Sequence, residues 1–207
     1  MDELDISKEV TTRIPTINGE FKLDLFYEAK TGKEHMAFTL GDLKGGVPPL
    51  IRIHSECFTG DVLGSLRCDC GPQLAASLKM ISSEGRGALI YLRQEGRGIG
   101  LVEKLKAYNL QDEGLDTVDA NEALGHCSDC RNYDIGAYIL KEIGANTIRL
   151  ITNNPSKIEG LEDAGIVVID RVPIEMEIHD TNRQYIQTKV EKMNHIIDMD
   201  KVVYAEK

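Results

Sequence analysis

An α/β domain built on one mixed sheet is what three features of this 207-residue chain predict. Apolar residues alternate on either side of Asn18-Gly19, the mark of an antiparallel hairpin. The run Ala88–Leu92 is short and wholly apolar, as a buried strand is. A third feature closes the chain: strand Thr147–Thr152, helix Pro155–Ala164 and strand Ile166–Val172 make a β-α-β unit, which implies parallel strands and a right-handed crossover. The domain is therefore expected over residues 11–207, with antiparallel strands first, helices flanking the sheet, and the β-α-β unit near the end.

In chain order, residues 1–10 are acidic and weakly patterned, and are expected as a mobile tail or a short helix. Thr11–Glu28 reads as strand, turn and strand, with Phe21, Leu23 and Leu25 on one buried face. His35–Leu40 and Leu50–His54 read as strands separated by a Gly/Pro-rich break. Gly71-Pro72 opens a helix whose stripe is Leu74, Leu78 and Ile81 and which Gly85 ends. A glycine loop, Glu95–Gly100, leads to a helix with Leu101, Leu105 and Tyr108 on one side. Ile135, Ile139 and Ile143 mark the next helix, and a last one is expected over about 182–198, with Ile186, Val190, Met193 and Ile197 inward.

Composition narrows the function. Hydrophobic content of 42% and charged content of 28% are ordinary for a globular protein, and no apolar run is long enough to span a bilayer. With no targeting segment and five cysteines, a reducing cytoplasm is expected. The net charge of −10 argues against nonspecific nucleic-acid binding. A polyphosphate substrate would need a local basic cluster, helped by Mg2+, to reverse the overall field.

The chemistry centres on R-I-H-S-E-C-F-T-G-D-V-L-G-S-L-R-C-D-C, Arg52 to Cys70. Cys57, Cys68 and Cys70 offer three thiolates, which bind zinc and leave its fourth position open as catalytic sites do. Three buried inert cysteines are the plain alternative, but Glu56, Asp61, Arg67 and Asp69 are poor company for an apolar core. Three thiolates also blunt Lewis acidity, and Arg67 is the cation expected to compensate. The glycine turn L-R-Q-E-G-R-G-I-G, Leu92–Gly100, suits phosphate contact through backbone N–H groups and two arginines, although many strand-to-helix turns are glycine-rich for geometry alone. G-H-C-S-D-C-R-N-Y, Gly125–Tyr133, holds Asp129 and Arg131, a site pair or a surface ion pair, and a C-x-x-C open to redox chemistry or a fourth zinc ligand. I-T-N-N-P-S-K, Ile151–Lys157, is a strand end suited to a ligand or simply a capped helix start.

Together R-I-H-S-E-C, G-S-L-R-C-D-C-G, R-Q-E-G-R-G-I-G-L, Y-N-L-Q-D, D-T-V-D-A-N and L-I-T-N-N-P-S-K resemble GTP cyclohydrolase II over about residues 12–198. The resemblance implies zinc-dependent opening of the GTP imidazole ring at C8, with loss of formate and pyrophosphate, at the start of riboflavin synthesis. It implies one Zn2+ per subunit on Cys57, Cys68 and Cys70, Mg2+ with the triphosphate, and a homodimer. It assigns GTP contacts to Arg52, Ile53, His54, Ser55, Glu56, Gln73, Glu95, Gly96, Arg97, Thr117, Thr152 and Lys157. Asp129 takes the proton-acceptor position, Arg131 the position called the nucleophile, and Tyr108 a further catalytic one. Because a guanidinium holds its proton tightly, Arg131 as a charge stabiliser is the plainer alternative. No attached butanone-phosphate synthase domain is recognised, which implies the monofunctional form. Cys127 and Cys130 depart from the family pattern and would make the site sensitive to oxidation. Two rivals remain: a paralogue that keeps the formyl group or takes another base, and a non-enzymatic protein with a closed four-thiolate zinc.

Overall fold

The computed structural model describes residues 5–127, 129–176 and 178–198. Its strands are β1 (Ile6–Thr16), β2 (Gly19–Glu28), β3 (Lys33–Leu40), β4 (Leu50–Ser55), β5 (Gly87–Leu92), β6 (Thr147–Ile151) and β7 (Val167–Val172). They form one seven-stranded sheet in the order β1-β2-β3-β5-β4-β6-β7. From β1 to β5 neighbours run antiparallel, and β5, β4, β6 and β7 are mutually parallel. The mixed α/β sheet is the one the sequence predicts. The helices are α1 (Phe58–Asp61), α2 (Cys70–Glu84), α3 (Leu101–Asp112), α4 (Thr117–Ala123), α5 (Asp134–Glu142), α6 (Pro155–Asp163) and α7 (Arg183–Glu191), with a 3-10 turn at Glu95–Gly98.

Both faces of the sheet are covered, and β4 shows how. Ile51 and Ile53 join Ile90, Leu92, Ile135, Ile139, Ile148 and Leu150 in the core beneath α5 and α6. Leu50 belongs to the opposite core, with Phe21, Ile81 and Leu89 under α2. Since side chains alternate along a strand, Arg52 and His54 fall on the α2 side with Leu50. Two polar side chains are thereby buried, at 5% and 2% exposure, below the loops that follow the strands.

Local signals place the helix ends. Gly85 ends α2 in the left-handed conformation (φ 71°), its N–H bonding the Ile81 and Ser82 carbonyls. The Asn154 side chain caps α6 by accepting from the Ser156 N–H, and Pro155 fills the first turn, where its missing N–H costs nothing. The Asp116 carboxylate caps α4 in the same manner.

Four expectations need correction. Strand β1 starts at Ile6, so residues 6–10 are neither tail nor short helix; backbone pairing with β2 holds a strand whose side chains are mostly exposed. On β2 the buried residues are Phe21, Asp24 and Phe26, whereas Leu23 and Leu25 are only half-buried, because the strand contributes to both cores. On α3 Leu105 is exposed and Ala107 is the buried residue, since this helix flanks a cleft and packs on α4. Helix α7 ends at Glu191, and Asn194 (φ 53°) turns the chain so that the Ile196 N–H reaches the Asn153 carbonyl.

Candidate active site

The carboxyl ends of the parallel strands β4, β5, β6 and β7 lie along one rim of the sheet, where α/β proteins place their ligands. The loops leaving that rim enclose a cleft of about 1050 Å³ counting its mouth.

At one end stand the cysteines. Cys57 follows β4 and precedes α1, while Cys68 and Cys70 flank the start of α2. The three sulfurs lie within 4.8 Å of one another, Cys57 and Cys68 at 3.6 Å. Zinc bound tetrahedrally at its usual Zn–S length sets thiolate sulfurs about 3.8 Å apart, so this donor set fits the ion. Gly60 makes the approach possible: a Cβ there would sit 2.9 Å from the Cys68 Sγ and 3.1 Å from the Cys57 Sγ. Gly71 packs its backbone on Gly60, where a Cβ would meet the Gly60 carbonyl at 2.3 Å.

Asp61 anchors the loop. Its carboxylate accepts from the Cys57 N–H (3.0 Å), the Tyr91 hydroxyl (2.8 Å) and His54 Nε2 (3.0 Å). Burial pulls the His54 pKa down against the pull of Asp61. Hydrogen bonds from Cys68 and Cys70 lower the Cys57 pKa, and Lys104, 3.1 Å from its sulfur, adds to the effect. The same bonding pushes Cys68 up to about 11 and Cys70 above the usual thiol range.

The same cleft is rich in cations. Arg52, Arg97, Arg131, Lys157 and Lys189 all line it. Arg131 is held by Asp129, which accepts from its backbone N–H (3.1 Å), its Nε (2.7 Å) and its Nη2. Burial acts to raise the Asp129 pKa, but the Arg131 guanidinium holds it below the usual carboxylate value. Lys157 donates to the Ile53 carbonyl (2.7 Å), and burial beside Arg52 and Arg131 drives its pKa well down. Burial likewise lowers Arg52 to about 10. The glycine turn on the cleft wall takes an unusual path: Gly96 and Arg97 are both left-handed (φ 62° and 61°). For arginine that conformation is strained, and such strain concentrates at functional sites.

The family model for GTP cyclohydrolase II matches residues 7–173. The chain belongs to the GTP cyclohydrolase II family. It is 55% identical over 193 residues to the riboflavin biosynthesis protein RibBA of Bacillus subtilis, covering 93% of this chain and 48% of that protein. RibBA of Chlorobium phaeovibrioides is 54% identical over 193 residues, covering 93% and 47%. The chain thus spans about half the length of the curated relatives it matches. Among solved structures, RibBX of A. baumannii, a two domain 3,4-dihydroxy-2-butanone 4-phosphate synthase, aligns with a TM-score of 0.43 at 16% identity, covering 100% of this chain and 41% of that one.

Most residues that the family resemblance singles out do meet in the cleft: Arg52, His54, Ser55, Glu56, Cys57, Cys68, Cys70, Gln73, Glu95, Gly96, Arg97, Tyr108, Thr117, Arg131, Thr152 and Lys157 line it. Ile53 does not. Its side chain is fully buried in the core, and only its carbonyl serves the site, through Lys157. Asp129 stands behind Arg131 rather than on the wall. Arg67, expected as the compensating cation, pairs with Asp112 (2.6 Å) and stacks on Tyr108, 5.0 Å from the ring centre. Cys127 and Cys130 face each other on their own loop and are not in the three-sulfur group, so among the described residues no fourth thiol joins the set that the closed-zinc reading needs. The cleft also holds family-chain residues that sequence reading missed: Lys104, Asn121, Tyr185, Lys189 and His195. Lys104 with Tyr108, and Tyr185 with Lys189, each stand four apart on a helix and so share one face, which was the available signal. Tyr185, Lys189 and His195 lie beyond the span the family model matches.

Proposed function

We propose that this chain binds GTP in the cleft, opens the imidazole ring at C8, and releases formate and pyrophosphate to give the diaminopyrimidinone ribosyl phosphate. The observation that carries the proposal is the pairing, in one cleft, of a three-cysteine cradle and a group of arginines and lysines within a chain of net charge −10. A zinc ion on Cys57, Cys68 and Cys70 supplies Lewis acidity for hydrolysis at an electron-poor ring carbon.

The chain's own side chains do the rest. Arg52, Arg97, Lys157 and Lys189 balance the triphosphate, with Mg2+ accompanying it. Tyr108 stands beside the cysteine loop, its hydroxyl 3.3 Å from the Thr59 hydroxyl. Burial raises its pKa, so it keeps the proton and serves as donor when the formamide is hydrolysed. Arg131 neutralises charge on the α-phosphate while water attacks. That role is favoured over nucleophilic attack because the two Asp129 oxygens already pair with the guanidinium and hold it charged.

Homodimer formation belongs to the same proposal. Phe58, Val62, Leu63 and Leu66 are exposed, as are Val102 and Leu105 on α3, and the two segments meet where Tyr108 touches Thr59 and Arg67. Exposed apolar surface of this kind marks association sites. A cytoplasmic setting follows from a metal cradle that needs reduced cysteines.

The test is incubation of reduced, zinc-loaded protein with GTP and Mg2+, with products read by mass spectrometry. Loss of both formate and pyrophosphate is expected. A product that keeps its formyl group would assign a partial reaction instead, and intact GTP beside confirmed bound zinc would overturn the proposal.

A further inference from the structure

The cation nearest the cysteine cluster is Lys104, whose ammonium lies 3.1 Å from the Cys57 Sγ. It is largely buried, with 11% of its side chain exposed, and its second donor goes to Glu95 Oε1 at 2.8 Å. Glu95 in turn has both oxygens committed to protein donors. Oε1 also accepts from the Gly96 N–H (2.7 Å), and Oε2 accepts from the N–H of Phe58 (2.6 Å), the residue after Cys57. The packing is close: a Cβ on Gly96 would come within 3.1 Å of the Lys104 Cβ. A closed circuit thus joins Cys57, Lys104, Glu95 and the glycine turn.

We infer that Lys104 is a positioning residue for the metal centre, donating a charge-assisted hydrogen bond to the Cys57 ligand, and that Glu95 serves to hold Lys104 and the Cys57 backbone rather than to touch the substrate. The inference rests on the metal reading proposed above. Three thiolates and a divalent ion sum to one negative charge, which weakens the ion as a Lewis acid. An ammonium on one sulfur withdraws part of that donation and restores it. Partners of this outer kind typically change metal affinity or activity about 10- to 100-fold when removed.

The test uses the full chain with zinc or cobalt(II) alone. Zinc affinity is measured by competition with a chromophoric chelator, and the thiolate-to-cobalt charge-transfer band is recorded for the native chain, Lys104→Met, Lys104→Arg and Glu95→Gln. In Lys104→Met we expect zinc affinity to fall about 10- to 100-fold and the band to move to lower energy, because an unshielded sulfur gives up its electron more readily. Lys104→Arg should recover most of both, and Glu95→Gln should fall between. Circular dichroism of each variant separates this from loss of folding, and a misfolded Lys104→Met leaves Lys104→Arg and Glu95→Gln to carry the comparison. An unmoved band and unchanged affinity in a folded Lys104→Met would overturn the inference while leaving the metal reading intact. So would lost GTP binding with native metal properties, which would make Lys104 a ligand contact. A native chain that binds neither ion through its cysteines would overturn both readings together.

Discussion

Lys157 is buried at 5% exposure, donates to a backbone carbonyl, and feels Arg52 and Arg131 more strongly than the Asp129 carboxylate. Its pKa is pushed well down by burial and then by those cations, and a bound triphosphate reverses the second effect. Below the lowered pKa the ammonium is already charged and binding takes up no proton. Above it, binding must add one, so affinity for a non-hydrolysable GTP analogue should fall as pH rises through that value. Lys157→Met should flatten the profile, and titration calorimetry across pH checks this. Tyr108→Phe removes the phenol proton alone, and should accumulate a formylated product while pyrophosphate release persists. Unchanged product ratios by mass spectrometry would remove Tyr108 from the second hydrolysis.

Elements matter here mainly for where they end. Gly60 lies inside the short α1 and Gly85 just past α2, each glycine for a different reason, and substitution separates them. Gly60→Ala drives a methyl group against the Cys57 and Cys68 sulfurs, and should lower zinc content, read by atomic emission, more than it lowers Tm. Gly85→Ala has open space but a left-handed φ of 71°, so it should cost about 1 kcal/mol of stability and leave metal content unchanged. The cap on α6 has a similar size: Asn154→Ala should cost about 1 kcal/mol by denaturant unfolding. That residue also lines the cleft, so the loss should appear in GTP affinity as well.

At the scale of the whole molecule, the fold sets an acidic body against a basic pocket. The field of a −10 chain repels a polyphosphate, and the cations at the strand ends reverse it locally. The cysteines divide in the same spatial way: Cys57, Cys68 and Cys70 gather at the rim, and Cys127 faces Cys130 on the loop that carries Asp129. The loop is tied to the glycine turn, since the Cys130 N–H donates to the Arg97 carbonyl at 3.1 Å.

Much of this was legible in the residues. Apolar runs, periodicity and turn signals located β2 to β7 and the helices carrying Ile81, Ile139 and Leu161, because each is long enough to leave such a mark. They missed α1 and α4, which are too short to show a period, and β1 before Thr11, whose side chains face solvent. The spacing of Cys57, Cys68 and Cys70 determined the donor set, since local turns can bring those sulfurs together. Only tertiary structure decided what surrounds it. Lys104 is 47 positions from Cys57, and Lys189 reaches Asp69 at 2.5 Å across 120 positions. Contacts of that kind leave no periodic trace, because they are made where strand ends and loops from distant parts of the chain meet. The sequence by itself determined the sheet, the thiols and the family; the fold decided that Lys104, not Arg67, faces the sulfur, and that the Glu95 carboxylate on the cleft wall is held by Lys104 and by the Gly96 and Phe58 N–H groups.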